Sequence, residues 1–122
     1  MAELGYTRDP RELVEGDPAA IEDNARVLRA RAERAAHAGE GLRAIDSGFW
    51  EGPAAQAFHQ RFSYEPGKWF TAATSLEAGA EEVEGYAGTL RWAQDQAAEA
   101  IRLWDRGEAA TQRACAAHEA AA

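Results

Sequence analysis

The residue types that most often carry catalysis are present in this chain, but they are not spaced to form a site. Three carboxylates cluster at Glu81, Glu82 and Glu84, and paired carboxylates act as general acid and base only where their surroundings set their pKa values apart. No histidine or arginine lies at a spacing that would orient them. A charged, solvated helix face is the favoured interpretation, and the sequence predicts no catalytic residue and no enzymatic activity.

Metal binding and nucleophilic catalysis have equally little support. His37 and His59 fall on different predicted helices and lack a third ligand, and His118 stands far from both. The single cysteine, Cys115, continues the heptad phase of Trp104, so we expect a small buried hydrophobic residue, with an intermolecular disulfide as the alternative. No glycine-rich phosphate loop is present. The sequence predicts no metal site and no cofactor.

Charge and hydropathy exclude further classes of function. The chain of 122 residues carries 21 acidic and 13 basic side chains, for a net charge of -8, and Lys68 is its only lysine. Such a surface is not suited to nucleic acid or to anionic membranes. No run of about 18 apolar residues predicts a membrane span, and residues 1–17 do not resemble a cleaved secretory signal.

Helices must position whatever site the chain carries. Alanine makes up about a quarter of the sequence and no stretch alternates over strand length, so the fold class is predicted to be all-α. Residues 1–16 are predicted to be an irregular leader, although Leu4, Tyr6, Leu13 and Val14 are suited to lying on a helix surface. Residues 17–122 are predicted to be one helical domain.

Two helices are expected in that domain, joined by a tight turn at 47–52. Helix 1 runs over about 17–46 with Pro18 in its first turn, and its seam follows heptad spacing. The seam residues are Ile21, Ala25, Leu28, Ala32, Ala35, Gly39 and Leu42. Helix 2 runs over about 53–118, with a kink near 64–67 at Pro66 and a weak zone at 85–88.

The turn itself contains a W-x-G triplet. We expect the Trp50 indole to be buried as a plug at the end of an antiparallel hairpin, while Gly52 permits the backbone geometry of the reversal. Helix 2 is much longer than helix 1, so half of its apolar stripe has no partner helix in the chain. The arm therefore either folds back at 85–88 into a three-helix bundle or is covered by a second chain. The predicted partner interface is Leu76, Val83, Leu90, Ile101 and Trp104.

With Trp50 and Gly52 between two amphipathic helices, the sequence resembles the WxG (Esx-like) helical-hairpin family of type VII secretion systems over about residues 17–87. Residues 4–18 and 90–107 resemble the type VII secretion signal domain that heads secreted proteins and polymorphic toxins of actinobacteria. The resemblance implies a four-helix bundle made by dimerisation, as a homodimer or with a small helical-hairpin partner protein. It also implies docking on the type VII secretion ATPase, and export from the cytoplasm without a signal peptide.

In the family that the sequence resembles, the export signal is a tyrosine followed four residues later by an acidic residue. Tyr64 and Tyr86 have no acid at that distance. The nearest approximation is Trp104 with Glu108, which lie one helical turn apart on the same face and form the candidate export signal. The alternative is that the partner protein carries the signal.

The predicted function is therefore non-enzymatic: secretion targeting and protein–protein pairing, as the N-terminal part of a larger secreted effector or toxin. The C-terminal run Cys-Ala-Ala-His-Glu-Ala-Ala-Ala closes no core, which favours a longer protein. The alternative function is that of a cytoplasmic helical adaptor or immunity-type protein that binds a toxin and is never exported.

Overall fold

A computed structural model describes residues 2–45, 48 and 50–122 of the chain. Its helices are α1 (Pro10–Leu13), α2 (Pro18–Arg43), α3 (Pro53–Phe62) and α4 (Glu65–Ala121). No β-strand occurs in these described ranges, and the predicted all-α class is confirmed. The predicted turn residues Ser47 and Phe49, and Asp46 at the expected end of helix 1, lie outside the described residues.

The leader contains one turn of helix, α1, where the sequence predicted irregular structure throughout. Asp9 caps this turn by accepting a hydrogen bond from the Arg11 backbone N–H at 2.9 Å. Pro10 follows at the first helical position, where a missing N–H is not needed. The helix is too short to show a hydrophobic period, which is why the sequence pattern did not reveal it.

α2 covers most of the predicted helix 1 and ends at Arg43. Pro18, at its first position, is fully buried. The predicted seam is the covered face of this helix, because each of its seven positions is buried or half-buried, and Ala25 is only 1% exposed. The heptad spacing therefore identified the correct face of α2.

The predicted second helix is two helices, with the interruption at Ser63 and Tyr64. Here the Tyr64 N–H donates to the Arg61 carbonyl at 3.3 Å. Pro66 lies in the first turn of α4, where proline costs no intrahelical hydrogen bond, so the break precedes it. α4 continues through Gly85 and Gly88 without a second break.

The described chain divides into two compact units. One comprises Ala19–Gly85. Within it, α2 and the first part of α4 run antiparallel, because Gly39 contacts Phe70 while Arg29 contacts Glu84. The buried apolar residues of this unit are small, and they are Ala25, Ala32, Ala35, Ala55 and Ala80.

The other unit comprises Met1–Pro18 and Tyr86–Ala122. In it, the leader lies along the second part of α4 in the antiparallel direction, with Gly16 against Leu90 and Gly5 against Trp104. The stripe of α4 that was expected to lack a cover is thus covered by the leader as far as Ile101. Every residue at positions 102–122 is exposed. Cys115 belongs to this stretch, so the expected buried cysteine is in fact exposed.

Candidate functional site

The candidate site is an open cavity of about 340 Å³ between the leader and α4, which we call the leader cavity. Both of its walls belong to the same compact unit. Leader residues 4–8 form one wall, and α4 forms the other. The α4 wall consists of Ile101, Trp104, Asp105 and Glu108.

A buried glutamine helps to hold the leader against α4. Gln94 is only 8% exposed, and its Nε2 donates to the carbonyl oxygens of Val14 at 3.1 Å and Gly16 at 2.9 Å. Carbonyls of an irregular segment have no helical partner, and burying them without a donor costs free energy. Gln94, a polar residue among the buried apolar residues Leu90, Ala97 and Ile101 of α4, therefore supplies hydrogen bonds to the leader backbone.

Glycine at position 5 lets the leader backbone approach the Trp104 indole. A Cβ atom added at Gly5 would lie 2.7 Å from Cζ2 and 2.8 Å from Cε2 of this ring, and the residue has a φ of +95°. A side chain at this position would meet both a clash and an unfavourable backbone conformation. One part of the indole is covered in this way, and the side chain stays 44% exposed.

The next residue, Tyr6, is held on the surface. Its backbone N–H donates to the Glu3 carbonyl at 3.1 Å, while the residue as a whole is 85% exposed. Two residues beyond Thr7, the Asp9 N–H donates to the Thr7 Oγ1 at 3.0 Å. Sequence reasoning did not assign Tyr6 to a site. One feature of the sequence could have indicated its role: Tyr6 is an aromatic residue directly after a glycine, in a leader that is suited to lying on a helix.

The acidic residues that line the leader cavity differ from several other helix carboxylates in their ion pairing. Glu40, Glu65 and Glu99 each pair with a basic residue three positions along the helix. Asp105 and Glu108 form no ion pair with any residue that the structure describes. Trp104 and Glu108, the candidate export signal, thus meet at one cavity and leave a carboxylate free for a partner.

The turn motif has a different environment from the one expected. Trp50 is 49% exposed, so the indole is not buried. Its ring centroid lies 5.4 Å from that of Phe58 and 6.3 Å from that of His59, and Phe58 stacks on Phe62 at 5.2 Å. The indole therefore joins a surface aromatic cluster instead of filling the end of the hairpin. Gly52 is the N-cap of α3 with a φ of +108°, a conformation that suits glycine.

The five residues of the predicted partner interface are not presented on one open face. Leu76 and Val83 are half-buried in the Ala19–Gly85 unit. In the other unit, Leu90 and Ile101 are each 7% exposed. A Cβ atom built on Gly16 would lie 2.7 Å from a Leu90 methyl group, and Ile101 lies in the lining of the leader cavity. Of these five residues, Trp104 alone is exposed.

Comparison with protein families shows the family of this chain. Residues 2–122 match a family model described as "Putative T7SS secretion signal domain". The chain belongs to this family. No curated protein and no solved structure matches it. The resemblance to a type VII signal domain is therefore confirmed, and family membership gives the chain a role in secretion targeting.

Chemical sites other than the leader cavity have weak structural support in this T7SS signal domain. Within residues 2–45, 48 and 50–122, no group of three or more His, Cys, Asp or Glu side chains is placed to hold a metal ion. His59 lies in the aromatic cluster of Trp50, and His37 is exposed. None of the described helices is long and apolar enough to cross a membrane.

An ion-pair cluster links α2 to the first part of α4 within the Ala19–Gly85 unit. Arg29 donates to Glu84 and, from Nε at 3.3 Å, to Glu77. The hydrogen bond to Glu84 is the main cause that raises the pKa of Arg29, with Glu77 adding to it. Sequence reasoning placed the cluster around Glu84 on a solvated face without an arginine. It missed Arg29 because the contact crosses between helices.

Proposed function

We propose that this T7SS signal domain is a non-enzymatic targeting module, at the head of a larger secreted effector or toxin, that the type VII secretion ATPase recognises through Trp104 and Glu108. The observation that carries the proposal is the position of these two side chains, one turn apart at the exposed leader cavity of a chain that belongs to a secretion signal family. Exposed aromatic residues are typical anchors of protein interfaces, and a charged group beside them adds electrostatic complementarity to a partner of opposite charge.

The exposure of this region supports the same conclusion. Trp104 keeps 44% of its surface in solvent, although its ring is held on one side by Gly5. Glu108 has no partner among the described residues to compete for its charge. A receptor therefore meets a fixed aromatic ring and an available carboxylate without first breaking an internal ion pair.

Pairing with a second helical hairpin is the other half of the proposal. Leu90 and Ile101 are already covered by the leader, so we assign pairing to the Ala19–Gly85 unit. There Leu76 and Val83 remain half-buried, and the aromatic cluster of Trp50 and Phe58 is open. The partner is a second copy of this chain or a small helical-hairpin protein, which together would complete a four-helix bundle.

The targeting part is tested by secretion from the native host. Glu108→Gln and Trp104→Leu are each compared with a matched change on α4, Glu119→Gln and Trp92→Leu, because Glu119 and Trp92 are exposed and do not line the leader cavity. We expect both site variants to disappear from the culture medium and accumulate in cells, while both control variants are exported. Export of the site variants at wild-type level would refute the assignment. Retention of the wild-type protein in cells would favour the adaptor or immunity function.

The pairing part is tested by sedimentation equilibrium of the purified chain, alone and with helical-hairpin proteins encoded beside it. We expect a dimer that is weakened by Leu76→Asp, with Ser75→Asp as the control at a neighbouring exposed position of the same helix. A monomer at tens of micromolar in every mixture would contradict the pairing proposal and leave the targeting proposal intact.

A further inference from the structure

The three tyrosines of the chain are all strongly exposed, but they differ in what surrounds them. Tyr6, Tyr64 and Tyr86 are 85%, 71% and 61% exposed. Tyr64 lies in the turn between α3 and α4, and Tyr86 lies on α4 at a position that does not line the leader cavity. Tyr6 lines that cavity together with Trp104 and Glu108. An aromatic residue from the leader therefore joins the candidate recognition site.

The exposure of Tyr6 does not come from a loose chain end. The residue before it lies against the Trp104 indole, and its own N–H donates to the Glu3 carbonyl. On the other side, Asp9 caps α1, so the leader backbone is fixed both before and after this side chain. Folding thus holds a large aromatic side chain in solvent, which gives it no stabilising burial. Fixed, exposed aromatic residues are typical of the centres of protein interfaces.

The charges around the leader cavity indicate the chemistry of the partner. Asp105 and Glu108 contribute two carboxylates without an ion pair among the described residues, and Arg8 is the one basic residue in the described lining. The faces of tyrosine and tryptophan rings attract cations, and so do carboxylates. Aromatic faces beside free carboxylates favour an arginine or lysine side chain over an acidic or purely apolar one.

We propose that Tyr6 completes a composite recognition surface with Trp104 and Glu108, and that this surface receives a basic side chain presented by the secretion ATPase. The inference rests on the proposed function, and it adds to it a leader residue and the charge of the group that binds. Because the leader supplies Tyr6, the recognition surface exists only when the leader is docked on α4. An isolated α4 peptide carries Trp104 and Glu108 but lacks the complete site.

Secretion of tyrosine variants tests the inference. Tyr6→Ala is expected to lower the amount of protein in the culture medium at least about tenfold, as for loss of an interface anchor, while Tyr64→Ala and Tyr86→Ala are exported normally. Tyr6→Phe should keep most of the export, because the ring face is the recognised group. Thermal unfolding of each purified variant checks folding, and Tyr6→Ala should melt close to wild type because its side chain is exposed.

The sign of the partner's charge is tested at the same position. Tyr6→Glu and Tyr6→Arg both place a charged side chain at a site that is 85% exposed, so both should fold. With a basic partner group, Tyr6→Glu retains more export than Tyr6→Arg. Equal export, or more export of Tyr6→Arg, would overturn the assignment of a basic group.

The outcomes separate this inference from the function on which it rests. Wild-type export of Tyr6→Ala together with loss of export in Glu108→Gln would refute the role of Tyr6 and leave the proposed function standing. Wild-type export of both variants would refute both. Loss of export in Tyr6→Ala with a melting temperature far below wild type would also count against the inference, because it would assign Tyr6 a structural role.

Discussion

The two units of this T7SS signal domain bury parts of one helix, α4, under different kinds of cover. In the Ala19–Gly85 unit the cover includes a regular helix, and the buried apolar residues are alanines such as Ala32 and Ala80. In the other unit the cover is the leader, and the buried apolar residues of α4 include the larger Leu90 and Ile101 beside Ala87 and Ala97. Two helices approach closely when their contact residues are small, whereas an irregular segment leaves gaps that larger side chains fill.

The two covers also differ in how their backbones are satisfied. The carbonyl groups within a helix accept hydrogen bonds from N–H groups of the same helix. The backbone of α2 therefore needs few hydrogen bonds from the helix that it contacts. The leader has carbonyls without such partners, and Gln94 on α4 donates to two of them. A heptad stripe therefore has to change composition where its cover changes from helix to irregular chain.

Leu90→Ala should have the largest effect on the leader-covered unit. Leu90 is 7% exposed and lies against Gly16, so removing its side chain leaves a cavity beneath the leader. We expect a loss of about 2–4 kcal/mol in the free energy of unfolding, measured by chemical denaturation. Leu103→Ala, at a residue that is 55% exposed, is the control and should cost less than about 0.5 kcal/mol. A Leu90 variant as stable as this control would mean that the leader does not cover α4.

Gln94→Leu tests whether the apolar stripe of α4 needs a polar residue at this position, because the sign of its effect on stability depends on what covers the stripe. In a helix-covered seam this change would add buried apolar surface and stabilise the protein. Here it removes the donor to the Val14 and Gly16 carbonyls, and we expect a loss of about 1–3 kcal/mol. Hydrogen exchange of leader amides should accelerate along with it. A stabilised variant with unchanged leader protection would contradict the role of Gln94.

Trp50→Ala should cost less than a buried tryptophan would. Truncating a buried tryptophan costs about 3–5 kcal/mol, but Trp50 is half exposed and contacts Phe58 on the surface. We expect a loss of about 1–2 kcal/mol in the free energy of unfolding. A loss above about 3 kcal/mol would instead support the plug role that the W-x-G triplet predicted. Phe58→Ala is the companion variant, because it removes the other ring of the same contact.

The smallest effect is expected from Glu84→Gln, which removes the main partner of Arg29 in the helix-covered unit. The Arg29–Glu84 pair is exposed to solvent. We therefore expect Glu84→Gln to cause a small decrease in melting temperature at low salt, which vanishes in about 1 M salt. Because the pKa of Arg29 is raised by its partner carboxylates, the contribution of the arginine is present below its unfolded-state pKa while those carboxylates are ionised, and it is lost as pH rises through the raised pKa. Between about pH 6 and 9 the arginine should introduce no pH dependence. A decrease that persists in high salt would point to packing instead of charge.

Much of the fold follows from local patterns. The heptad spacing that starts at Ile21 identified the covered face of α2, because a helix repeats its faces every few residues whatever covers them. Pro53 begins α3 and Pro66 lies in the first turn of α4, as expected for a residue that fixes φ and lacks an N–H. The position of the break near Pro66 was less exact, because proline is tolerated within a first turn.

The site is less predictable than the helices. Trp104 and Glu108 were found from their spacing on one helix, since residues four apart lie on the same face. Tyr6 was not assigned to them, because nearly a hundred positions separate it from Trp104 and the leader has no period to align with α4. The contact of Arg29 with Glu84 was missed because it crosses between α2 and α4, 55 positions apart in the chain.

The sequence by itself determined that the chain is helical, which faces of its helices are apolar and which family it belongs to, because helix propensity, periodicity and motif residues are all local properties. Tertiary structure decided what covers each apolar face. The leader reaches α4 through a close approach at Gly5 and hydrogen bonds from Gln94. These contacts join residues far apart in the chain, and no periodic pattern encodes such a pairing, so only the folded chain brings Tyr6, Trp104 and Glu108 to one cavity.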